Sequence, residues 1–328
     1  MSGHAAVLAG LGVYAPPKVV TNDDLAANLD TSDEWITTRT GIRERRVADA
    51  DLATTDLATE AGARALKSAG MDRVDAVLLG TTTPDRICPA SAPEVATRLG
   101  LTHAAACDVS AACTSFVYGL ANGAGLIAAG ITERVLVIGA ETIFRFMDPQ
   151  DRTTSVLFGD GAGAVVLRAG QPDEPGALGP FDLGSDGSLA DMLAVDAGGS
   201  RLWGPDIPRD AHFLRMDGRE VYRHAVRRMV ASSRQVLDQQ GWGIDDVDRL
   251  VGHQANARIL EAVGQRLGVP AERCHINVDR YGNTSAASIP LALGDAELAA
   301  GERVLLTAFG AGFTWGSTAL VWPHIDVT

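Results

Sequence analysis

The chain has 328 residues, 46% hydrophobic and 21% charged, and its 28 Lys+Arg against 41 Asp+Glu give a formal net charge of −13. These proportions belong to a soluble globular protein and exclude a disordered chain, a collagen-like chain and a disulfide scaffold. The length calls for two cores or two fused halves, and the acidic balance removes any bulk attraction for nucleic acid or an anionic membrane, so an anionic partner must be met by local Arg clusters.

From Met1 to Gly12 there is no basic stretch followed by a long apolar run, so no signal peptide is expected. The cysteines at 88, 107, 113 and 274 are scattered, without a C-x-x-C pair. A zinc site is therefore not expected, and a cytoplasmic location is. Thr55 to Ser68 has helical periodicity and is stopped by Gly70, and Ala76 to Thr82 reads as a short buried strand. A helix over 91–99 with Ser91 as N-cap follows, then a strand over 105–109 and a helix from Cys113 to Ala129 ending at Gly130. Residues 109–132 carry no charge and are long enough to span a bilayer. Ser110, Thr114, Ser115, Asn122 and the many Gly and Ala residues suit a helix buried in protein better. Val135 to Ile138 is the next apolar strand. Asp173 to Ser188, rich in Gly and Pro, reads as a junction. Beyond it the pattern predicts helices over 220–240, 257–267 and 285–299, and strands over 250–251 and 304–308.

The two stretches are related. RLGL (98–101) matches RLGV (266–269), AAGITERVLVIGA (128–140) matches AAGERVLLTAFGA (299–311), and VDAVLLG (74–80) matches VDRLVG (247–252). These matches keep their order at offsets of 168, 171 and 173 residues. Two copies of one α/β unit are expected, residues 1–172 and 173–328, each with a largely parallel sheet. The whole would be an α/β fold layered as an α-β-α-β-α sandwich.

Cys113 opens the long apolar helix, where unpaired N–H groups and the helix dipole favour thiolate, the nucleophilic form. A lone Cys in an apolar stretch is more often inert core, so partners are required. His253 ends a predicted strand and Asn283 precedes a predicted helix, positions at the carboxyl ends of strands where ligands collect. Cys113 lies 17 residues before Gly130 and Thr284 lies 17 before Gly301, so Cys113 and Asn283 start equivalent helices of the two copies. Gly159, Gly161 and Gly163 do not run from a strand into a helix as a dinucleotide fingerprint requires, so no nicotinamide site is expected.

SAACTSF (110–116), HQANARI (253–259), GNTSAAS (282–288), FGDGAGA (158–164), FGAGFTWG (309–316) and TSDEWITTRTGIRERR (31–46) together resemble β-ketoacyl-acyl carrier protein synthase III, a thiolase-fold condensing enzyme. The resemblance runs from about residue 8 to residue 322. It implies a duplicated thiolase-like sandwich and a Cys113-His253-Asn283 triad, with Cys113 accepting an acyl group from acyl-coenzyme A. Decarboxylation of malonyl-acyl carrier protein would then supply an enolate that attacks the acyl-cysteine. The backbone N–H groups of Cys113 and Ala311 would form the oxyanion hole. Coenzyme A would be held by Trp35, Arg39, Arg152 and Asn256, and the carrier protein by Arg223, Gln254, Ala255, Asn256, Ala257 and Arg258. Cys88 would lie at the acyl pocket, small enough to leave room for more than acetyl. The resemblance also implies a homodimer, no metal and no resident cofactor.

Three other readings share some of these residues. A papain-like cysteine hydrolase has the same Cys, His, Asn order and a similar Cys-to-His spacing, but a different Cys signature and no internal duplication. A same-fold starter-unit synthase or acyltransferase of a polyketide pathway differs only in substrate, and intact His253 and Asn283 favour condensation. A non-catalytic binding role is opposed by the complete triad.

Overall fold

The computed structural model describes residues 4–328. Two five-stranded sheets face each other across a central helical layer. In the first sheet the spatial order is Ala5–Tyr14, Gly161–Gly170, Arg134–Glu141, Ala76–Gly80, Ala105–Val109. In the second it is Leu178–Ser185, Thr314–Val321, Arg303–Gly310, Arg249–Gly252, Cys274–His275. Each strand of one sheet has a counterpart in the other, in the same order, so the internal sequence repeat is a structural one.

The central layer holds the helices Ser115–Ala128 and Ser288–Asp295. The Ser115–Ala128 helix lacks charge because both of its faces are covered. Phe116, Val117 and Leu120 share a core with Val165 of the first sheet and Val251, Leu306 and Leu320 of the second. Outside the first sheet, Thr54–Ser68 buries Leu57, Ala61 and Ala65 against Val77, Leu136 and Ile138. Outside the second, Gly218–Gln240 and Ala257–Leu267 bury Val226, Met229, Ile259 and Val263 against Leu250 and Leu305. That is an α-β-α-β-α sandwich, driven by burial of the apolar faces of both sheets. No helix among the described residues is long and apolar enough to cross a membrane.

Several expectations are corrected. The sheets are mixed rather than largely parallel. Ala76–Gly80 pairs parallel with both neighbours, whereas Gly161–Gly170 is antiparallel to both of its own. The second sheet repeats this, with Thr314–Val321 antiparallel to both of its neighbours. The Gly- and Pro-rich junction holds an edge strand, Leu178–Ser185. Ser91 stands at the N-cap, yet the cap is supplied by Asp108, whose carboxylate accepts from the Ser91 and Ala92 N–H groups at 2.8 and 2.7 Å. The glycine motif 158–164 leads into the strand Gly161–Gly170, and the Asp160 carboxylate accepts from the Ala48 and Phe144 N–H groups. Burial pushes the Asp160 carboxyl up to about 6.

The register of the two copies also differs at the active helices. Each helix is entered through a short 3₁₀ turn, Ala112–Thr114 and Ser285–Ala287, led by a left-handed residue, Ala112 and Ser285, both at φ 49. These residues lie 173 apart, so Cys113 corresponds to Ala286 rather than Thr284. Gly139 lets the second turn approach the first sheet, because a Cβ there would lie 2.2 Å from the Ala286 carbonyl oxygen.

Candidate active site

Cys113 sits in the 3₁₀ turn that runs into the Ser115–Ala128 helix. The end of strand Arg303–Gly310 crosses so close behind it that a Cβ on Gly310 would lie 2.8 Å from the Cys113 nitrogen. Only a residue without a side chain fits there. His253 directly follows strand Arg249–Gly252, its N–H bonded to the Thr307 carbonyl at 2.8 Å. Asn283 is clamped by residues 157–159. Its N–H donates to the Leu157 carbonyl, and its carbonyl accepts from the Gly159 N–H.

Cys113, His253 and Asn283 together line one cleft of about 280 Å³ whose wall includes Trp35, Arg39 and Asn256. Cys113 also lines a second cavity, of about 690 Å³, with Ile143, Phe146, Leu193, Leu214 and Ala311. The thiol is therefore the point at which two chambers meet. One is polar at its mouth and the other is mostly apolar.

The triad residues differ in electrostatics. Burial pushes the Cys113 thiol up to about 12, and the nearby Ser285 hydroxyl offsets only part of that rise. The 3₁₀ turn places Cys113 before the helix proper, and burial works on the thiol in the direction opposite to that expected of a helix terminus. His253 is 3% exposed, and burial lowers its pKa to about 3, so its imidazole is neutral at neutral pH. Its Nδ1 lies 2.6 Å from the Ser288 hydroxyl. The Asn283 side-chain oxygen accepts from the Ser285 N–H at 2.9 Å, which turns its NH₂ toward the cleft.

The His253 shift has a consequence for stability. An unfolded histidine titrates near 6.5, so as pH falls from about 6.5 toward 3 the unfolded chain gains a proton that the folded chain refuses. The expected outcome is a melting temperature that drops over that window more steeply for the wild type than for His253→Gln, measured by thermal denaturation across pH.

The remaining predicted residues divide. Trp35 lies at the cleft mouth with the Arg39 guanidinium 4.4 Å and the Arg152 guanidinium 5.4 Å from its ring centre. Arg152 is also paired with Asp30 at 3.1 Å. Asn256 caps the Ala257–Leu267 helix, its side-chain oxygen accepting from the Ile259 N–H at 2.9 Å. Arg223 and Arg258 are exposed on neighbouring helices, Arg223 in an ion pair with Glu220. Ala255 lines the cleft, and Ala257 packs on Gly41. Gln254 departs from the expected surface role. It is buried, donating to the Gly252 and His275 carbonyls and accepting from the Asn277 N–H, so it braces the His253 loop from inside. Cys88 is exposed, and within this chain Pro84 and Ile87 of its loop, rather than Cys88, line the larger cavity.

Known proteins with this arrangement decide the family. The family described as 3-oxoacyl-[acyl-carrier-protein (ACP)] synthase III matches residues 107–187, and the one described as its C-terminal part matches 237–322. The chain is 57% identical over 332 residues to β-ketoacyl-[acyl-carrier-protein] synthase III 5 of Streptomyces coelicolor, covering 99% of each chain. The chain belongs to the β-ketoacyl-acyl carrier protein synthase III family. The crystal structure of a 3-oxoacyl-(acyl carrier protein) synthase III from Pseudomonas aeruginosa is 53% identical, with a TM-score of 0.91 over 98% of this chain and 99% of that one. A priming β-ketosynthase from a polyketide biosynthetic pathway superposes with a TM-score of 0.93 at 34% identity, over 99% and 98% of the two chains. This synthase is an acyl-transferring condensing enzyme with the duplicated thiolase-like fold. The cysteine-hydrolase reading falls with the fold, as does the non-catalytic one with the family.

Three residues of this synthase that sequence reasoning passed over belong to the site: Ser285, Ser288 and Glu141. Two of them stand inside the quoted GNTSAAS block. Nothing in the sequence pairs Glu141 with that block, because the contact crosses from one half to the other.

Proposed function

We propose that this synthase takes an acyl group from acyl-coenzyme A onto Cys113 and condenses it with malonyl-acyl carrier protein, releasing carbon dioxide and giving the β-ketoacyl-acyl carrier protein that begins fatty acid synthesis. The observation that carries this reading is the position of Cys113 between a cleft and a larger, mostly apolar cavity. A thioester has this two-part shape, with a long polar arm on one side of the carbonyl and an acyl chain on the other. Thioester exchange onto sulfur is nearly isoenergetic, so the acyl group is stored without hydrolysis. The identities of 57% and 53% to synthases III, against 34% to the polyketide priming enzyme, favour fatty acid synthesis over a polyketide starter role.

In this reading malonyl loses carbon dioxide while negative charge grows on its thioester oxygen. The Asn283 NH₂ donates to that oxygen. His253 donates from Nε2, which requires Nδ1 to accept from the Ser288 hydroxyl. The enolate carbon attacks the acyl-cysteine carbonyl, whose oxygen rests on the Cys113 and Ala311 N–H groups. Trp35 between Arg39 and Arg152 offers a flat cationic clamp for the coenzyme's adenine, with Asn256 alongside. Exposed Arg223 and Arg258, with Ala255 and Ala257 between them and the cleft, form the docking face for the acidic carrier protein. The halves 1–172 and 173–328 act as one catalytic unit.

A second copy completes the molecule in this reading. The edge strand Ala105–Val109 presents half its residues to solvent, and Ile131 and Ile87 are 69% and 75% exposed. Bare strand edges and exposed large aliphatics call for a partner, and a homodimer in the cytoplasm satisfies them.

The larger cavity, lined by Ile143, Phe146, Leu193 and Leu214, accepts acyl chains longer than acetyl. Intact-mass spectrometry after incubation with a series of acyl-coenzyme A donors tests the whole proposal. Cys113 gains the acyl mass, including that of chains beyond acetyl, and malonyl-acyl carrier protein discharges it with carbon dioxide. Loading at Cys88, Cys107 or Cys274, or discharge without malonyl, overturns it.

A further inference from the structure

Glu141 ends the central strand of the first sheet and is completely buried. Every group that reaches its carboxylate is a hydroxyl or an N–H. Thr83 donates at 2.6 Å, Thr81 at 3.2 Å, Thr82 through its hydroxyl at 3.0 Å and its N–H at 3.1 Å, and Ser285 at 3.0 Å. No cation is paired with it among the described residues, and burial pushes its pKa up. A buried, uncompensated carboxylate is costly to keep for architecture alone.

Ser285 comes from the opposite half and is held in a left-handed conformation at φ 49. It lines the larger cavity together with Cys113, and its hydroxyl donates to Glu141 at 3.0 Å. A serine hydroxyl has one proton to donate. With that proton on Glu141, its oxygen is left to accept from the Cys113 S–H. A path from Sγ–H through Oγ–H to the carboxylate is then open to the thiol proton.

We propose, resting on the acyl-transfer reading above, that Ser285 and Glu141 form a proton relay serving Cys113. As Sγ bonds to the thioester carbonyl, the thiol proton passes to the Ser285 oxygen and the Ser285 proton passes to the Glu141 carboxylate. The bond from the carbonyl carbon to the coenzyme sulfur then breaks, and the departing thiolate takes a proton from water at the cleft mouth. The proton from Cys113 stays on Glu141 throughout the acyl-enzyme state. When the malonyl-derived enolate forms the new carbon–carbon bond, the Cys113 sulfur leaves as thiolate and takes the proton back through Ser285. The cycle regenerates the carboxylate and takes up one proton, the one on coenzyme A. Among the described residues lining the cleft at Cys113, His253 is the one imidazole and there is no carboxylate, and its neutral, buried ring is a weak base committed to Ser288. Asp108, which lines the larger cavity, is tied to the Ser91 and Ala92 N–H groups. In this scheme Ser285 touches the reacting sulfur and Glu141 is a positioning and proton-holding residue behind it.

The test separates the two half-reactions in Ser285→Ala and Glu141→Gln. Single-turnover loading from acetyl-coenzyme A is read by intact mass, and malonyl-acyl carrier protein decarboxylation by carbon dioxide release. Both variants are expected to load about 10²-fold more slowly near neutral pH, the scale of a lost general base. Their loading is expected to recover as pH rises, because hydroxide replaces the relay, while decarboxylation falls less than threefold. Wild-type loading rates in both variants overturn the relay. So does an equal fall of loading and decarboxylation with an unaltered pH profile, which is the mark of a purely structural role. Failure of the wild type to load from any acyl-coenzyme A would instead overturn the acyl-transfer reading itself.

Discussion

Cys113→Ala is expected to lower condensation by about 10⁴–10⁶-fold, the scale seen when a nucleophile is removed from an otherwise intact site. Carbon dioxide release from malonyl-acyl carrier protein should remain measurable in this variant. The reason is a division of labour. In the proposed mechanism Cys113 holds the acyl group, whereas the charge that develops during decarboxylation falls on the side occupied by His253 and the Asn283 NH₂. Removing the sulfur takes away the carbon electrophile but leaves both donors in place. Intact-mass spectra without acyl adduct, together with residual carbon dioxide release and no β-ketoacyl product, are the expected combination. An acyl adduct persisting on the protein would show that another residue is the acceptor.

His253→Ala is expected to give the complementary pattern. Loading on Cys113 continues, while decarboxylation and condensation fall by about 10²–10³-fold, the cost of one oxyanion donor in a water-poor site. The magnitude depends on the imidazole being neutral and in one tautomer. Burial makes it neutral, and in the proposed mechanism the Ser288 hydroxyl, 2.6 Å from Nδ1, donates to it so that Nε2 carries the proton. Ser288→Ala should therefore slow decarboxylation by a smaller factor, about tenfold, the scale of one hydrogen bond, and should leave loading intact. Stopped-assay measurement of the two half-reactions in the two variants checks the order. Loss of loading in His253→Ala would mean that His253, rather than the Ser285 and Glu141 pair, takes the thiol proton.

The acidic surface of the chain sets the context for both experiments. In the proposed reaction a molecule with a net charge of −13 receives a polyanionic coenzyme and an acidic carrier protein. Arg39 and Arg152 are stacked about Trp35 at the cleft mouth, and Arg223 and Arg258 are exposed nearby. Local cations of this kind act within a Debye length of about 8 Å at physiological salt, over which the distant negative field is screened.

Much of this was legible in the sequence. The central helices could be read because an uncharged stretch of Ala, Gly and Phe has no stable place except between two covered surfaces, and Ser115–Ala128 is found there. His253 and Asn283 could be singled out because each stands where a strand or loop ends before a helix. The strands Ala5–Tyr14, Gly161–Gly170, Leu178–Ser185 and Thr314–Val321 are not predicted from the sequence. They are built largely from Gly, Ala and small polar residues, whose strand preference is weak alone and is supplied by pairing with neighbours and by helices packed close on the sheet. Ser91 was assigned a cap that Asp108 provides, since a side chain 17 residues away competes on equal terms once the chain has folded.

The amino-acid sequence by itself determined the duplication, the α/β class, the family and the identities of Cys113, His253 and Asn283, because these are carried by residue order and local pattern. Only the tertiary structure decided that Cys113 lies between two chambers, that burial raises its thiol pKa, that His253 is neutral with Ser288 beside it, and that Ser285 of one half bonds to Glu141 of the other. Those properties arise from contacts between the halves and from loss of water around buried groups. Neither is a property of any one segment of the chain.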